Sequence, residues 1–167
     1  METPHDGAVE KNTSGLAGKY LTFALGVEEN GLPVLKVREI IKMLDITQVP
    51  QVPPHVKGVI NLRGKVIPVV DLRLKFGFAE QGYTERTCVI VVEVALASGR
   101  IMMGIVVDAV SEVLNIAAED IEQTPDFGER VETDYMKGIA KVKGKVKILL
   151  DLDRVLGAEG VIAVRAA

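Results

Sequence analysis

Cysteine is nearly absent from this 167-residue chain, and Cys88 alone cannot close an internal disulfide. One Cys with two His also leaves too few soft ligands for a closed zinc site, so no metal or other cofactor is expected. An excess of basic residues is missing as well: 20 Lys and Arg face 23 Asp and Glu, a net charge of −3. A nucleic-acid binder needs clustered Lys and Arg to neutralise phosphates, and an anionic membrane surface asks for the same, so neither is an expected partner. Long apolar runs are absent too. None approaches the roughly 18 residues of a transmembrane helix, and Met1–Lys19 lacks the basic start and apolar stretch of a secretory signal. We therefore expect a soluble, cytoplasmic protein without direct membrane insertion. Neither a G-x-x-x-x-G-K-[ST] or G-x-G-x-x-G phosphate loop nor a G-x-S-x-G nucleophile elbow is present, which leaves catalysis little to stand on.

What the chain has in quantity is β-branched aliphatic side chain. Hydrophobic residues make up 48%, with 25 Val and 13 Ile against 4% aromatics and no Trp, a composition that favours strands. The length suits one domain or two small intertwined ones. Residues 1–18 carry almost no large apolar side chain and are expected to form a flexible tail. From there Tyr20, Thr22 and Ala24 alternate with Leu21, Phe23 and Leu25 as a strand, Glu28, Glu29, Asn30 and Gly31 read as a turn, and a second strand follows through Val34 and Val37. Val37–Leu44 also fits a helical stripe through Val37, Ile40, Ile41 and Leu44, but strand is preferred. The prolines of Val49–Pro54 predict a rim loop or an edge. Gly58–Asp71 reads as two strands joined at Arg63-Gly64, with Gly64 at the positive φ of a tight hairpin and Pro68 at an edge or bulge.

The chain also repeats itself. Lys57-Gly58-Val59-Ile60-Asn61-Leu62-Arg63-Gly64-Lys65-Val66 aligns with Lys137-Gly138-Ile139-Ala140-Lys141-Val142-Lys143-Gly144-Lys145-Val146, and the match runs on through Asp71-Leu72 with Asp151-Leu152 to Gly77 with Gly157. A weaker echo upstream sets Val37-Arg38-Glu39-Ile40 against Val110-Ser111-Glu112-Val113 and Gly31 against Gly104, which puts extra residues of the second copy around Pro125–Glu132. Each copy reads as a small β unit whose few strands would curl into a barrel to hide their edges. Asp71 or Asp151 then caps a short helix that ends at Gly77 or Gly157.

Among chemistry-bearing residues, Cys88 lies in the strand-like run Thr87–Val92 and is expected as a buried, inert thiol. His55, beside Pro53-Pro54, reads as a surface loop residue rather than a base. Asp71 and Asp151 could be imagined as paired carboxylates, but their equivalence under the repeat favours capping. The same logic makes the glycine pairs Gly58 with Gly138 and Gly64 with Gly144 scaffold, and directs attention to where the copies differ. Asn61 becomes Lys141, and Arg63 becomes Lys143. An Arg at a hairpin offers a planar fork of donors for a carboxylate or for carbonyls, whereas Lys is a point charge; a solvated turn Arg is the equally open alternative.

Val37-Arg38-Glu39-Ile40, Ile46-Thr47-Gln48-Val49-Pro50, Val56–Gly64, Val66–Arg73 and Gly104-Ile105-Val106-Val107-Asp108 together resemble the CheW family of bacterial chemotaxis coupling proteins. The resemblance implies a mainly β fold of two intertwined SH3-like five-stranded barrel subdomains with short helices, a domain over 19–157, and a C-terminal extension over 158–167. It implies a non-catalytic cytoplasmic adaptor, associated with membrane receptor arrays through its partners, that links the helical tip of chemoreceptors to the regulatory domain of the histidine kinase CheA. Carried over by motif, Val37, Glu39, Gly58, Asn61 and Arg63 are the coupling positions, while Gly64, Asp71, Gly144 and Asp151 serve turns and caps. Glu112 mirrors Glu39, so a structural role for Glu39 stays open, and Glu39 and Arg63 could pair with each other or reach a partner. The alternatives are a CheW-like module of another chemosensory system or of a larger kinase, and a generic SH3-like peptide binder, for which three Tyr and no Trp make a poor aromatic groove.

Overall fold

The β-branched runs form strands that are buried on both faces. In β6 (Cys88–Leu96), Val89 and Val91 enter one apolar cluster while Ile90, Val92 and Val94 enter another, and all five are fully buried. β7 (Gly99–Val107) repeats this with Val106 on one side and Met103, Ile105 and Val107 on the other. Side chains alternate across a strand, so a strand between two cores leaves no polar face and reads as an unbroken apolar run. The structure is a computed structural model and describes residues 15–79, 82–125 and 135–157.

Nine further strands complete two sheets. They are β1 (Gly18–Leu25), β2 (Glu28–Pro33), β3 (Val37–Lys42), β4 (Val56–Leu62), β5 (Lys65–Asp71), β8 (Ala109–Ile116), β9 (Ile121–Glu122), β10 (Met136–Val142) and β11 (Lys145–Leu150). Short helices, Leu72–Lys75 and Leu152–Leu156, follow β5 and β11. One sheet has the order β8-β1-β2-β11-β10-β9 and the other β3-β6-β7-β5-β4. Each sheet therefore takes its central hairpin from one repeat and its outer strands from the other, which is the intertwining that the family resemblance implied. Parallel contacts join the two contributions, Asn30 with Ile148 and Gly31 with Leu149 in one sheet, Val69 with Gly104 through Asp71 with Val106 in the other.

The cores follow the same division. A large cluster that includes Phe23, Leu25, Leu32, Ile90, Met103, Ile105, Leu150 and Leu152 lies between the sheets. Smaller clusters fill the hollow of each, Ile60, Ile67, Val69, Val91 and Val106 in one, Tyr20, Ile116, Ile121 and Leu149 in the other. Neither ladder closes into a full barrel. In the β3–β6–β7–β5–β4 sheet the backbone bridges the gap beside its outer strands β3 and β4 where Thr47 pairs with Val59. β9 does the same in the other sheet, facing Ile139 and Ala140 of β10.

Several local expectations change. The turn expected at Glu28–Gly31 sits earlier: β1 meets β2 with Leu25 opposite Glu28, Gly26 takes φ 62, and Asn30 and Gly31 are buried strand residues. The second strand ends at Pro33, and Val34–Lys36 is a single 3-10 turn that crosses to the other sheet. The Val37–Leu44 ambiguity resolves as strand, with exposure alternating along β3. Pro68 pairs with Val59 where the parallel contact with β7, which starts at Val69, has not begun, so its missing N–H leaves no ladder bond unmade. Of the tail expected over 1–18, residues 1–14 lie outside the described residues; Leu16 packs against Tyr20's cluster and Gly18 opens β1. The extension over 158–167 and most of the insertion expected at Pro125–Glu132 also lie outside them.

Candidate functional site

The β4–β5 hairpin turns through two residues, Arg63 at φ 51 and Gly64 at φ 88. Positive φ at both central positions is the tight turn whose twist matches paired strands, so Arg63 itself occupies the left-handed region. Asn61 supports it, accepting a hydrogen bond from the Gly64 N–H at 2.8 Å through its Oδ1. Lys143 and Gly144 form the same turn in the second copy, at φ 52 and φ 79. There Lys141, in place of Asn61, pairs with Glu122 at 2.5 Å.

This turn carries the Arg63 guanidinium across the seam to β3. Arg63 Nη1 donates to Glu39 Oε2 at 3.2 Å and Nη2 donates to Oε1, a two-pronged pairing. The Arg63 side chain is 69% exposed and that of Glu39 31%, so the pair is presented at the surface. The Arg63 guanidinium holds the Glu39 carboxyl below its ordinary range. β3 and β4 are the outer strands of their sheet, so this ion pair and the Thr47–Val59 bridge together close the seam.

Gly58 explains how the bridge can form. The Thr47 N–H donates to the Val59 carbonyl and the Val59 N–H to the Thr47 carbonyl, both at 2.9 Å. Gly58 takes φ +140, and a Cβ there would lie 2.0 Å from the Thr47 oxygen. Its counterpart Gly138 is less tight, with a Cβ placed 3.0 Å from the Glu122 oxygen. Val37 is half-buried and packs against the large cluster. Of the five positions that the resemblance marks for coupling, then, Glu39 and Arg63 meet directly, Asn61 and Gly58 shape the strands that carry them, and Val37 anchors β3.

Asp71 and Asp151 act as caps, accepting from the N–H of Arg73 at 3.0 Å and of Arg154 at 3.2 Å. His55 is half-buried in the turn that enters β4, and its carbonyl accepts from the Asp71 N–H at 2.8 Å. Cys88 is half-buried, and burial pushes its thiol up.

Arg73 is the group that reading the sequence missed. Only 3% exposed, it donates from Nε and Nη2 to both Asp71 oxygens at 3.0 and 2.9 Å, and from Nη1 to Asp108 at 3.0 Å. Asp108 also accepts from the Gly26 N–H at 2.6 Å, and the ring of Tyr83 lies 5.5 Å from the guanidinium. The two carboxylates push Arg73 further towards its charged form. The signal was available, since Arg73 stands opposite Asp153 in the repeat and so differs between copies in the same way as Arg63.

Comparison with known proteins gives the family. The CheW-like domain family model matches residues 19–160. The chain belongs to the CheW family. It is 40% identical over 151 residues to the chemotaxis protein CheW of Klebsiella aerogenes, covering 87% of this chain and 89% of that protein. It is 35% identical over 141 residues to the chemotaxis protein CheW of Rhizobium meliloti, covering 84% and 88%. The crystal structure of the scaffolding protein TtCheW from Thermoanaerobacter tengcongensis superposes with a TM-score of 0.75 at 34% identity, over 87% of this chain and 96% of that one. Chemotaxis and scaffolding are thus the settings in which relatives of this fold are named. No helix among the described residues is long and apolar enough to cross a membrane.

Proposed function

We propose that this protein is a non-catalytic, cytoplasmic adaptor that couples the helical signalling tip of chemoreceptors to the regulatory domain of the histidine kinase CheA, and so joins membrane receptor arrays through its partners. The observation that carries this reading is the forked Arg63–Glu39 pair displayed on a CheW-family scaffold. A planar guanidinium already held by one carboxylate is preorganised, so it loses little side-chain entropy when a partner carbonyl or carboxylate joins it. A shallow groove bordered by Leu16, Tyr20, Val34 and Leu35 lies beside the crossover between sheets, and Leu35 is 88% exposed. An amphipathic receptor helix can lay apolar side chains along such a surface.

Reconstituted receptor, adaptor and kinase test this. Arg63→Ala is expected to impair kinase activation while leaving the chain folded, with a circular dichroism melt close to that of the parent, since an exposed ion pair adds little stability. Arg63→Lys is expected to fail as well, since one ammonium does not reproduce the fork, whereas Lys143→Ala at the equivalent turn should couple far better. Normal activation by Arg63→Ala, or loss of activation that only follows unfolding in a circular dichroism melt, would remove Arg63 from the coupling role.

A further inference from the structure

Two ion pairs tie the halves of the chain together through helix positions that the repeat makes equivalent, Arg73 and Asp153, with their charges reversed. At one junction the cation is on the short helix after β5 and the anion follows β7: Arg73 Nη1 lies 3.0 Å from Asp108. At the other the anion is on the short helix after β11 and the cation follows β2: Lys36 Nζ lies 3.0 Å from Asp153. A backbone donor joins each carboxylate, Gly26 N of the other half to Asp108 at 2.6 Å and Ala95 N of the same half to Asp153 at 2.9 Å.

The competing assembly is easy to draw. Each sheet combines the central hairpin of one half with the outer strands of the other. Because the halves are copies, the first half of a second molecule could offer β1 and β2 where β6 and β7 belong. Apolar burial is non-directional and separates these partners poorly, since Leu21, Phe23 and Leu25 of one hairpin and Ile90, Val92 and Val94 of the other enter the same core. Charge separates them well. Like halves brought together would set Arg73 against Lys36, and Asp153 against Asp108.

We propose that these oppositely oriented ion pairs make each half of the chain select the other half in preference to the like half of a second copy. Each pair forms only in the unlike combination; the like ones set Asp153 against Asp108 and bring Lys36 to an Arg73 whose other donors stay on Asp71 of its own half, and juxtaposed like charges are an effective means of rejecting a wrong partner.

The test refolds the full chain from urea at rising protein concentration and reads the products by size exclusion with light scattering. Lys36→Asp combined with Asp153→Lys keeps an attractive pair in the native junction but makes both like combinations attractive. A discrete dimer with native circular dichroism should then appear, at roughly ten times the fraction formed by the parent, the ratio expected for about 1.4 kcal/mol of lost discrimination. Lys36→Ala with Asp153→Ala removes the pair without creating the new match and should refold as monomer. Lys36→Asp alone, which creates the match only between first halves, should also raise the dimer fraction. Equal monomer yields for the parent and both Lys36→Asp variants at every concentration would overturn the proposal. So would as much dimer from the double alanine variant as from the exchange, because weakened folding rather than charge would then be the cause.

Discussion

Replacing Gly58 with Ala measures how the β3–β4 seam is held. A Cβ would stand 2.0 Å from the Thr47 oxygen and 2.8 Å from its carbonyl carbon, both backbone atoms that cannot swing away. Thr47 must withdraw, which breaks the two 2.9 Å hydrogen bonds it exchanges with Val59. At about 1 kcal/mol each these account for about 2 kcal/mol. Placing an L side chain at φ +140 adds strain of order 1–3 kcal/mol. The expected loss is therefore about 3–5 kcal/mol, a large part of the 5–15 kcal/mol that typically stabilises a domain. Gly64→Ala is the internal reference, because φ is +88 there but nothing lies within 4 Å of the added carbon. Strain alone predicts about 1–2 kcal/mol for it. In urea, with a slope of about 2 kcal/mol per molar, the midpoint should fall by about 1.5–2.5 M for Gly58→Ala and by no more than about 1 M for Gly64→Ala. Amide exchange at Thr47 and Val59 should accelerate in the first variant only. A Gly58→Ala midpoint that drops no further than that of Gly64→Ala would show that the bridge does not depend on the missing Cβ. On the proposed adaptor role, the same variant should also weaken kinase activation in the reconstituted mixture, because Glu39 and Arg63 ride on the two strands that the bridge holds together.

Other outcomes can be stated more briefly. Arg73→Ala strands the buried Asp71 carboxylate, and removing one member of a buried pair costs about 3–5 kcal/mol, so urea unfolding should show a loss of that size; less than about 1 kcal/mol would mean that water replaces the guanidinium freely. The Glu39 carboxyl lies below its ordinary value of 4.5 because of Arg63, so the stability this pair adds is present above that value and lost as the pH falls through the lowered one. Side-chain carboxyl NMR should find Glu39 titrating nearer its ordinary value in Arg63→Ala, and an unmoved titration would separate the two groups in solution.

Much of this protein was legible in its residues because the physics involved is local. A two-residue turn needs positive φ, so Arg63-Gly64 and Lys143-Gly144 announced their hairpins. Asp71 and Asp151 announced their helices because a carboxylate satisfies N–H groups only one turn away. Where two local patterns competed, the reading slipped: Glu28-Glu29-Asn30-Gly31 has turn composition, yet pairing with Phe23 and Thr22 on one side and with Ile148 and Leu149 on the other holds Asn30 and Gly31 in a strand. The duplication was readable from aligned side chains alone, and so was the family.

What the residues could not state by themselves is which distant groups would meet. Glu39 and Arg63 are 24 positions apart, and Arg73 and Asp108 are 35. Their pairing depends on how far a sheet curls and on which copy lends its central hairpin, and that is a matter of burying apolar surface across the whole chain. Gly58 shows the division most sharply. Its identity and its repetition at Gly138 were visible from the start and marked it as scaffold. The reason is a carbonyl oxygen eleven residues away, placed there only when β4 and the segment after β3 come to lie side by side. Local propensity selected the strands, turns and caps; packing between the two copies selected the contacts on which a site can be built.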